Sequence, residues 1–339
     1  MKKTKSLSHG LQKMLSDYQK YMKKYTSKFW IHENKLHINN LLGNGYDKFK
    51  QTIASSYFTF LNEPSTSAEV ISQWSFLLGN LSEQEIISAI KFAKNIPPLP
   101  YTRNEFNLTT LLLWQYAKNQ GLEKELAKLS EPAEGCPPGV RFEDRLISQD
   151  LANSLLEFNT INQHIPTNSI RTILEIGAGY GRSAYIWFLL GNIKKYIIVD
   201  IPPALFISQR YLSSQFPTRK VLRYRDINSF KDIRDEYDKA DIIFLMPWQI
   251  EMLPGKSIDL IFSIDSLNEM KFDIVRFYFK VIDKLGKKYF YMKCRQEWNE
   301  NDEGIVKWGN YPIPMKWKKL LDRECRVQTM YFESLYKLP

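Results

Sequence analysis

The chain has few cysteines, few histidines and no long apolar run. Its 339 residues include three cysteines, Cys136, Cys294 and Cys325, far apart and without a CxxC pair. That excludes a disulfide scaffold and a zinc ribbon, and a reducing cytoplasm is the expected setting. There are four histidines, His9, His32, His37 and His164. His32 and His37 lie five apart, one more than the spacing that puts two metal ligands on one helix face. The longest apolar run, residues 184–190, is seven long, against about 20 needed to cross a bilayer. No signal-peptide core is expected after the basic start, because Lys13, Asp17 and Lys20 interrupt it. Internal repeats and low-complexity tracts are also missing. What remains is an ordinary globular mix, 44% apolar and 25% charged, long enough for a sizeable core and an accessory domain.

The net charge of +10 is lopsided. Residues 1–28 hold eight lysines and one acid, Asp17, so +7 lies there and only +3 in all the rest. The bulk of the protein is therefore not expected to bind nucleic acid. Leu7, Leu11, Leu15, Tyr18, Met22 and Tyr25 are close to helical spacing, which describes a basic amphipathic helix. Three readings stay open: a helix docked on its own protein with its lysines in water, peripheral contact with an anionic membrane, or a polyanionic partner.

Residues 1 to about 134 read as a helical domain. Ser82-Glu-Gln-Glu85 is a capping box opening a helix toward Lys94, and Asn95-Ile-Pro-Pro-Leu-Pro100 ends it. Helices are expected over 108–118 and 122–129. The breaker cluster Glu131-Pro-Ala-Glu-Gly-Cys-Pro-Pro-Gly139 sets the domain boundary at 134/135, and a helix over about 144–161 follows. The rhythm then changes to short apolar strands alternating with helices. Strands are expected over 171–176, 196–199, 241–246, 258–263 and 288–292, with helices over 182–190, 203–216 and 272–285. That alternation predicts an α/β fold with a Rossmann-like, doubly wound, mostly parallel sheet over 135–339. Residues 326–337 alternate only partly and suit an edge strand.

The most informative stretch is Glu175-Ile-Gly177-Ala-Gly179-Tyr-Gly181, at a strand-to-helix turn where backbone can approach a ligand. A dinucleotide fingerprint would need glycine where Arg182 stands. An acid inside the strand repels a pyrophosphate but suits an ammonium group. Asp200 ends the next strand, 19 residues past Gly181, where a carboxylate can accept both hydroxyls of a ribose.

These residues resemble the class I S-adenosylmethionine-dependent methyltransferases. Val199-Asp-Ile-Pro-Pro203, Ser263-Ile-Asp-Ser-Leu-Asn-Glu-Met270 and Tyr289-Phe-Tyr-Met-Lys-Cys-Arg295 resemble blocks of a sugar O-methyltransferase family of antibiotic-sugar and surface-polysaccharide pathways. The likeness covers roughly residues 135–335, and nothing before about 130 resembles a known family. It implies S-adenosyl-L-methionine as cofactor, with Glu175, Gly177, Gly179 and Gly181 on its methionine part and Asp200 on its ribose. The adenine would lie against Pro247, Trp248 and Gln249, with Asp226 as a competing contact. Tyr180 would either face the sulfonium, as an aromatic face attracts a cation, or pack under the loop.

A sugar hydroxyl needs a base within hydrogen-bond reach as its bond to carbon forms. Asp265 and Glu269 follow the fourth strand, four apart, and share a face if a helical turn begins there. One of them is the expected base, Asp265 ahead, with an N-cap and capping partner as the competing structural role. His32 or His37 reaching over the site is an alternative. So is a magnesium ion held by the two acids, although no third ligand is evident. Lys293 and Arg295 end the fifth strand and could hold a phosphate or carboxylate of the acceptor. Trp298, with Trp308, Tyr311 and Trp317 after it, could stack on a sugar. Arg141 and Arg145 could border the acceptor cleft. The reading is an O-methyltransferase acting on a sugar, nucleotide-sugar or glycan hydroxyl. It is expected in the cytoplasm or at the inner face of the membrane, with its helical domain lining the acceptor cleft or forming a homo-oligomer interface. The alternatives are a methyltransferase for RNA or another small molecule, and a non-catalytic binding module of the same fold.

Overall fold

A computed structural model describes residues 8–53, 67–96, 104–298 and 306–339. Leu7, the lysines before it, the prolines over 97–100 and the side chain of Trp298 lie outside the described residues. The chain divides into two compact units, and the division is not the one at 134/135. One unit comprises 1–43, 161–324 and 331–339, the other 44–160 and 325–330.

The first unit opens with α1 (His9–Tyr25) and α2 (Lys28–Asn44). Leu11, Met14, Tyr18 and Tyr25 of α1 are buried while Lys13, Lys20, Lys23 and Lys24 stay exposed, so the helix lays its apolar face on its own unit. Tyr21 stacks on Trp248 with ring centres 4.3 Å apart, and Tyr25 meets Phe277 edge-on at 5.2 Å. Asp17, buried on that same face, accepts from the Tyr224 hydroxyl at 3.1 Å and from Lys20 at 2.7 Å. This docking is why the first two helices belong with the sheet rather than with the helical unit.

The second unit contains α3 (Phe49–Thr52), α4 (Ala68–Asn80), α5 (Glu83–Lys94), α6 (Asn104–Asn119), α7 (Glu123–Leu126), β1 (Val140–Phe142), β2 (Arg145–Ile147) and most of α8 (Gln149–His164). The capping box at Ser82 forms, its hydroxyl accepting from the Glu85 amide and the Glu85 carboxylate accepting from the Ser82 amide. The breaker cluster is not a linker. Lys50 and Glu131 form a buried ion pair, the Ser148 hydroxyl donates to Glu131 at 2.5 Å, and Gly135 abuts the Phe49 ring. Turn-forming residues there serve a tight internal turn, which composition alone does not distinguish from a boundary. The helix expected from 144 begins only at 149. Glu143 and Asp144, at φ 49° and 61°, form the two-residue turn of the β1–β2 hairpin.

The main sheet contains β3 (Thr172–Ile176), β4 (Lys195–Val199), β5 (Val221–Leu222), β6 (Ile242–Leu245), β7 (Ile258–Ile264), β8 (Gly286–Arg295), β11 (Lys318–Glu324) and β12 (Tyr331–Lys337). A two-stranded ribbon, β9 (Glu297–Trp298) with β10 (Val306–Lys307), stands apart. Across the sheet the order is β11-β12-β8-β7-β3-β4-β6-β5. Strands β5 to β8 with β3 and β4 are parallel, while β12 runs antiparallel between β8 and β11. Thus 326–337 does not form an edge. Its strand is interior, and β11 covers it. On one face Leu174, Ile176, Ile243 and Leu245 pack with Ile274, Val275 and Phe279 of α12 (Phe272–Leu285). On the other, Trp187 and Phe188 of α9 (Arg182–Leu190) meet Phe262 and Tyr196. Burial on both faces is what makes these strands read as continuous apolar runs. The remaining helices are α10 (Ala204–Gln215) and α11 (Arg234–Lys239).

Candidate active site

The glycine turn joins β3 to α9. Gly177, Gly179 and Gly181 have φ of 73°, 58° and 93°, where a side chain is strained. Space forbids one too: a Cβ on Gly177 would collide with the Ser266 side chain, and one on Gly181 would lie 2.8 Å from Leu212. Asp200, at the tip of β4, closes the turn. Its carboxylate accepts from the Gly179 amide at 2.8 Å and the Ile201 amide at 2.7 Å. Burial pushes its pKa up to about 7, against the pull of those two amides. Glu175 sits deeper, within the sheet, and accepts from the Tyr196 hydroxyl at 2.6 Å. Tyr180 is buried with its ring edge-on to Tyr211 at 5.4 Å, the packing role under the loop.

Beyond β7 the chain turns sharply. Asp265 has φ 49°, and its amide donates to the Lys293 carbonyl at 2.7 Å. Its carboxylate accepts from the Tyr331 hydroxyl at 3.0 Å and from Asn268 at 3.3 Å. A single 3-10 turn, Leu267–Glu269, follows in place of a longer helical segment. Glu269 accepts from the Trp30 indole N–H at 2.9 Å, so α2 reaches this acid. Burial raises both carboxyl pKa values. For Glu269, raised well above the usual range, the Asp265 charge adds to the effect. For Asp265 the rise is opposed by Arg295, then by the Tyr331 and Asn268 hydrogen bonds and by Lys293. Arg295 lies opposite Tyr331 in the β8–β12 pairing, and both it and Lys293 stand over the Tyr331 ring, at 5.5 and 5.8 Å from its centre.

The structure therefore gathers Asp200, Asp265, Glu269, Lys293 and Arg295 at the carboxyl ends of the parallel strands. It adds Tyr331, Trp30 and Asn268, which sequence reasoning missed. Tyr331 is visible only through strand register, and Trp30 has no local signal at all. Two of the other expected residues, Arg141 and Arg145, fall elsewhere, while the 247–249 turn lies at this same sheet edge, after the parallel strand β6. Arg145 and the exposed Arg141 belong to the helical unit, where Arg145 donates to the Leu126 carbonyl at 2.6 Å. Asp226 is exposed, 3.6 Å from Lys20. Pro247, Trp248 and Gln249 form the 3-10 turn after β6. There Gln249 accepts from the Met246 amide at 2.9 Å and donates to the Arg225 carbonyl at 2.8 Å, holding the turn, while Tyr21 covers Trp248. His32 is exposed. His37 is buried beside Trp30, and burial lowers its pKa to about 4, so it is a neutral imidazole at pH 7. The Cys294 thiol, pushed up to about 12 by burial, is unreactive.

A magnesium site does not fit. Among the described residues no three His, Cys, Asp or Glu side chains group to hold a metal. The two candidate acids already accept from Tyr331, Asn268 and Trp30, beside two cations. S-adenosylmethionine fits better. The loop is stripped of side chains at three positions, Asp200 presents an acceptor, and two buried polar atoms, Ser183 Oγ at the start of α9 and Trp248 Nε1, have no hydrogen-bond partner among the described residues.

No family model and no curated protein matches the chain. Solved structures with distant likeness include an S-adenosylmethionine-dependent methyltransferase from Mesorhizobium loti, 12% identical, covering 53% of this chain and 97% of its own, with a TM-score of 0.35. Another is a proposed sarcosine dimethylglycine methyltransferase from Galdieria sulphuraria, 12% identical, covering 59% and 91%, with a TM-score of 0.39. The fold assignment rests on the sheet itself. Counted from β3, and leaving out the short edge strand β5, the strand order is third, second, first, fourth, fifth, seventh, sixth, with the seventh reversed. With the glycine turn at the first strand and the acid at the tip of the second, this is the Rossmann-like class I methyltransferase fold.

Proposed function

We propose that the protein is an S-adenosylmethionine-dependent O-methyltransferase acting on a sugar hydroxyl, on a nucleotide-linked sugar or surface glycan in the cytoplasm. The observation that carries the reading is the half-buried Asp265–Glu269 pair at the same sheet edge as the glycine turn, with Lys293 and Arg295 beside it. The bound donor supplies a methyl group on a sulfonium, ready for in-line displacement. Asp265, whose charge Arg295, Tyr331, Asn268 and Lys293 favour against the effect of burial, is the base in this reading and accepts the hydroxyl proton as the new C–O bond forms and the C–S bond breaks. Burial and the Asp265 charge both favour the neutral form of Glu269, which would spare the site a second negative charge. Lys293 and Arg295 favour an acceptor that carries a phosphate or carboxylate. Methyl-labelled donor, incubated with nucleotide sugars, oligosaccharides and RNA, should label a sugar hydroxyl. Label on RNA, or on nothing despite donor binding, would overturn the reading.

Asp200 gives this reading a pH signature. Its folded-state pKa, about 7, exceeds the usual carboxylate value, so the folded protein holds an extra proton between the two. The stability this contributes is fully present at low pH and is lost as pH rises through about 7. A cationic donor prefers the carboxylate. Donor affinity is thus expected to rise about tenfold from pH 6 to pH 8, by the change in ionised fraction. Calorimetric titration checks this, and Asp200→Asn should flatten the dependence. A flat profile in the unaltered protein would separate Asp200 from the donor.

A further inference from the structure

The helical unit holds a cavity of its own, about 530 Å³ in volume. That is within the usual range for small-molecule sites, roughly 300–1,000 Å³. Its walls come from four elements: Phe92 of α5, Leu111 and Trp114 of α6, Leu126 of α7, and Phe142 and Ile147 of the β1–β2 hairpin. Phe92 and Phe142 meet edge-on with ring centres 5.0 Å apart, and Phe92 is 38% exposed, much for so large an apolar ring. Apolar and aromatic walls around a concave space of this size are the usual make-up of a small-molecule site.

The charged groups of the lining say what kind of molecule that is. Lys118 pairs with Glu123 at 3.0 Å, and Arg145 with Glu143 at 3.3 Å. Glu85 accepts from Ser82, Gln115 and Asn119, contacts that hold its pKa down to about 2. Arg145 also donates to the Leu126 carbonyl and lies over the Trp114 ring at 5.7 Å, and the Trp114 N–H is engaged by the Ser148 carbonyl at 2.8 Å. The cations are thus matched within the wall, and the lining as a whole carries one net negative charge. An anion would meet Glu85, Glu123 and Glu143 with only one unpartnered cationic donor among the described residues, the buried Arg145 Nε–H, to answer it, while a cation would find its carboxylates already engaged.

We propose that this cavity is a binding site for an uncharged, flat, apolar-bodied small molecule, whose ring lies among Phe92, Trp114 and Phe142 and whose polar substituent faces the neutral rim of Gln84 and Ser88. The site belongs to the helical unit and does not depend on the methyl-transfer reading. The test titrates the full chain with 2-acetonaphthone, a neutral aromatic ketone, and with 2-naphthoate, its anionic counterpart, by calorimetry. The ketone is expected to bind with a Kd below 1 mM and the naphthoate at least tenfold more weakly. Ser88→Trp, an exposed rim position that leaves the core untouched, should weaken the ketone at least tenfold, and Ala89→Phe should do the same from inside. If Ala89→Phe does not fold, Ser88→Trp alone decides. The proposal is overturned if the ketone does not bind at its solubility limit, if the naphthoate binds as well or better, or if binding survives Ser88→Trp unchanged.

Discussion

Asp265→Asn is expected to slow methyl transfer by about 10²- to 10⁴-fold, the usual contribution of a positioned base, while leaving donor affinity within about twofold. The substitution is a clean one. Asp265 occupies the left-handed region at φ 49°, which asparagine tolerates and alanine does not, so Asp265→Ala would mix lost chemistry with a strained backbone. Asparagine also keeps an oxygen for the Tyr331 hydroxyl, 3.0 Å away. Normal turnover by Asp265→Asn would remove this residue as the base. Tyr331→Phe should act more mildly and with a distinct sign. Losing a hydrogen bond to the carboxylate raises the Asp265 pKa further, so the acid limb of the rate profile should move to higher pH. A lower rate with an unmoved acid limb would make Tyr331 a packing residue only.

The second large effect is on stability. Lys50→Met should destabilise the helical unit by about 3–5 kcal/mol, the cost of stranding one member of a buried ion pair. Both side chains are only 2% exposed, and Glu131 would keep only the Ser148 hydroxyl as a partner from this network. The double variant Lys50→Met with Glu131→Met should recover much of the loss, because no unpaired charge remains. Urea unfolding of the three proteins, followed by circular dichroism, reads both numbers. If the single variant unfolds within about 1 kcal/mol of the parent, the pair is not buried as described.

The same pair shows how a sequence can mislead. Glu131, Pro132, Gly135, Pro137, Pro138 and Gly139 read as a boundary because turn formers and linkers share a composition. Yet Lys50, 81 positions earlier, draws Glu131 into the core, and Gly135 is small because the Phe49 ring stands against it. Neither partner is near in sequence, so no local pattern reveals the contact. The N-terminal helix was legible in its amphipathic spacing, but not in its address. Leu11, Tyr18 and Tyr25 identify a buried stripe, while only Trp248 and Phe277 say where the stripe is buried.

What the sequence determined by itself is the local part. The strand and helix rhythm from residue 172 onward, the three glycines that only a left-handed turn requires, Asp200 at a strand tip and the acids after β7 all follow from short-range rules of burial, backbone sterics and charge. Tertiary structure alone decided which groups surround those acids. Tyr331 reaches Asp265 because β12 pairs with β8 in one register, and Trp30 reaches Glu269 because α2 docks on the sheet unit. Both contacts join residues at least 66 positions apart, and they form only once burial of apolar faces has brought the elements together.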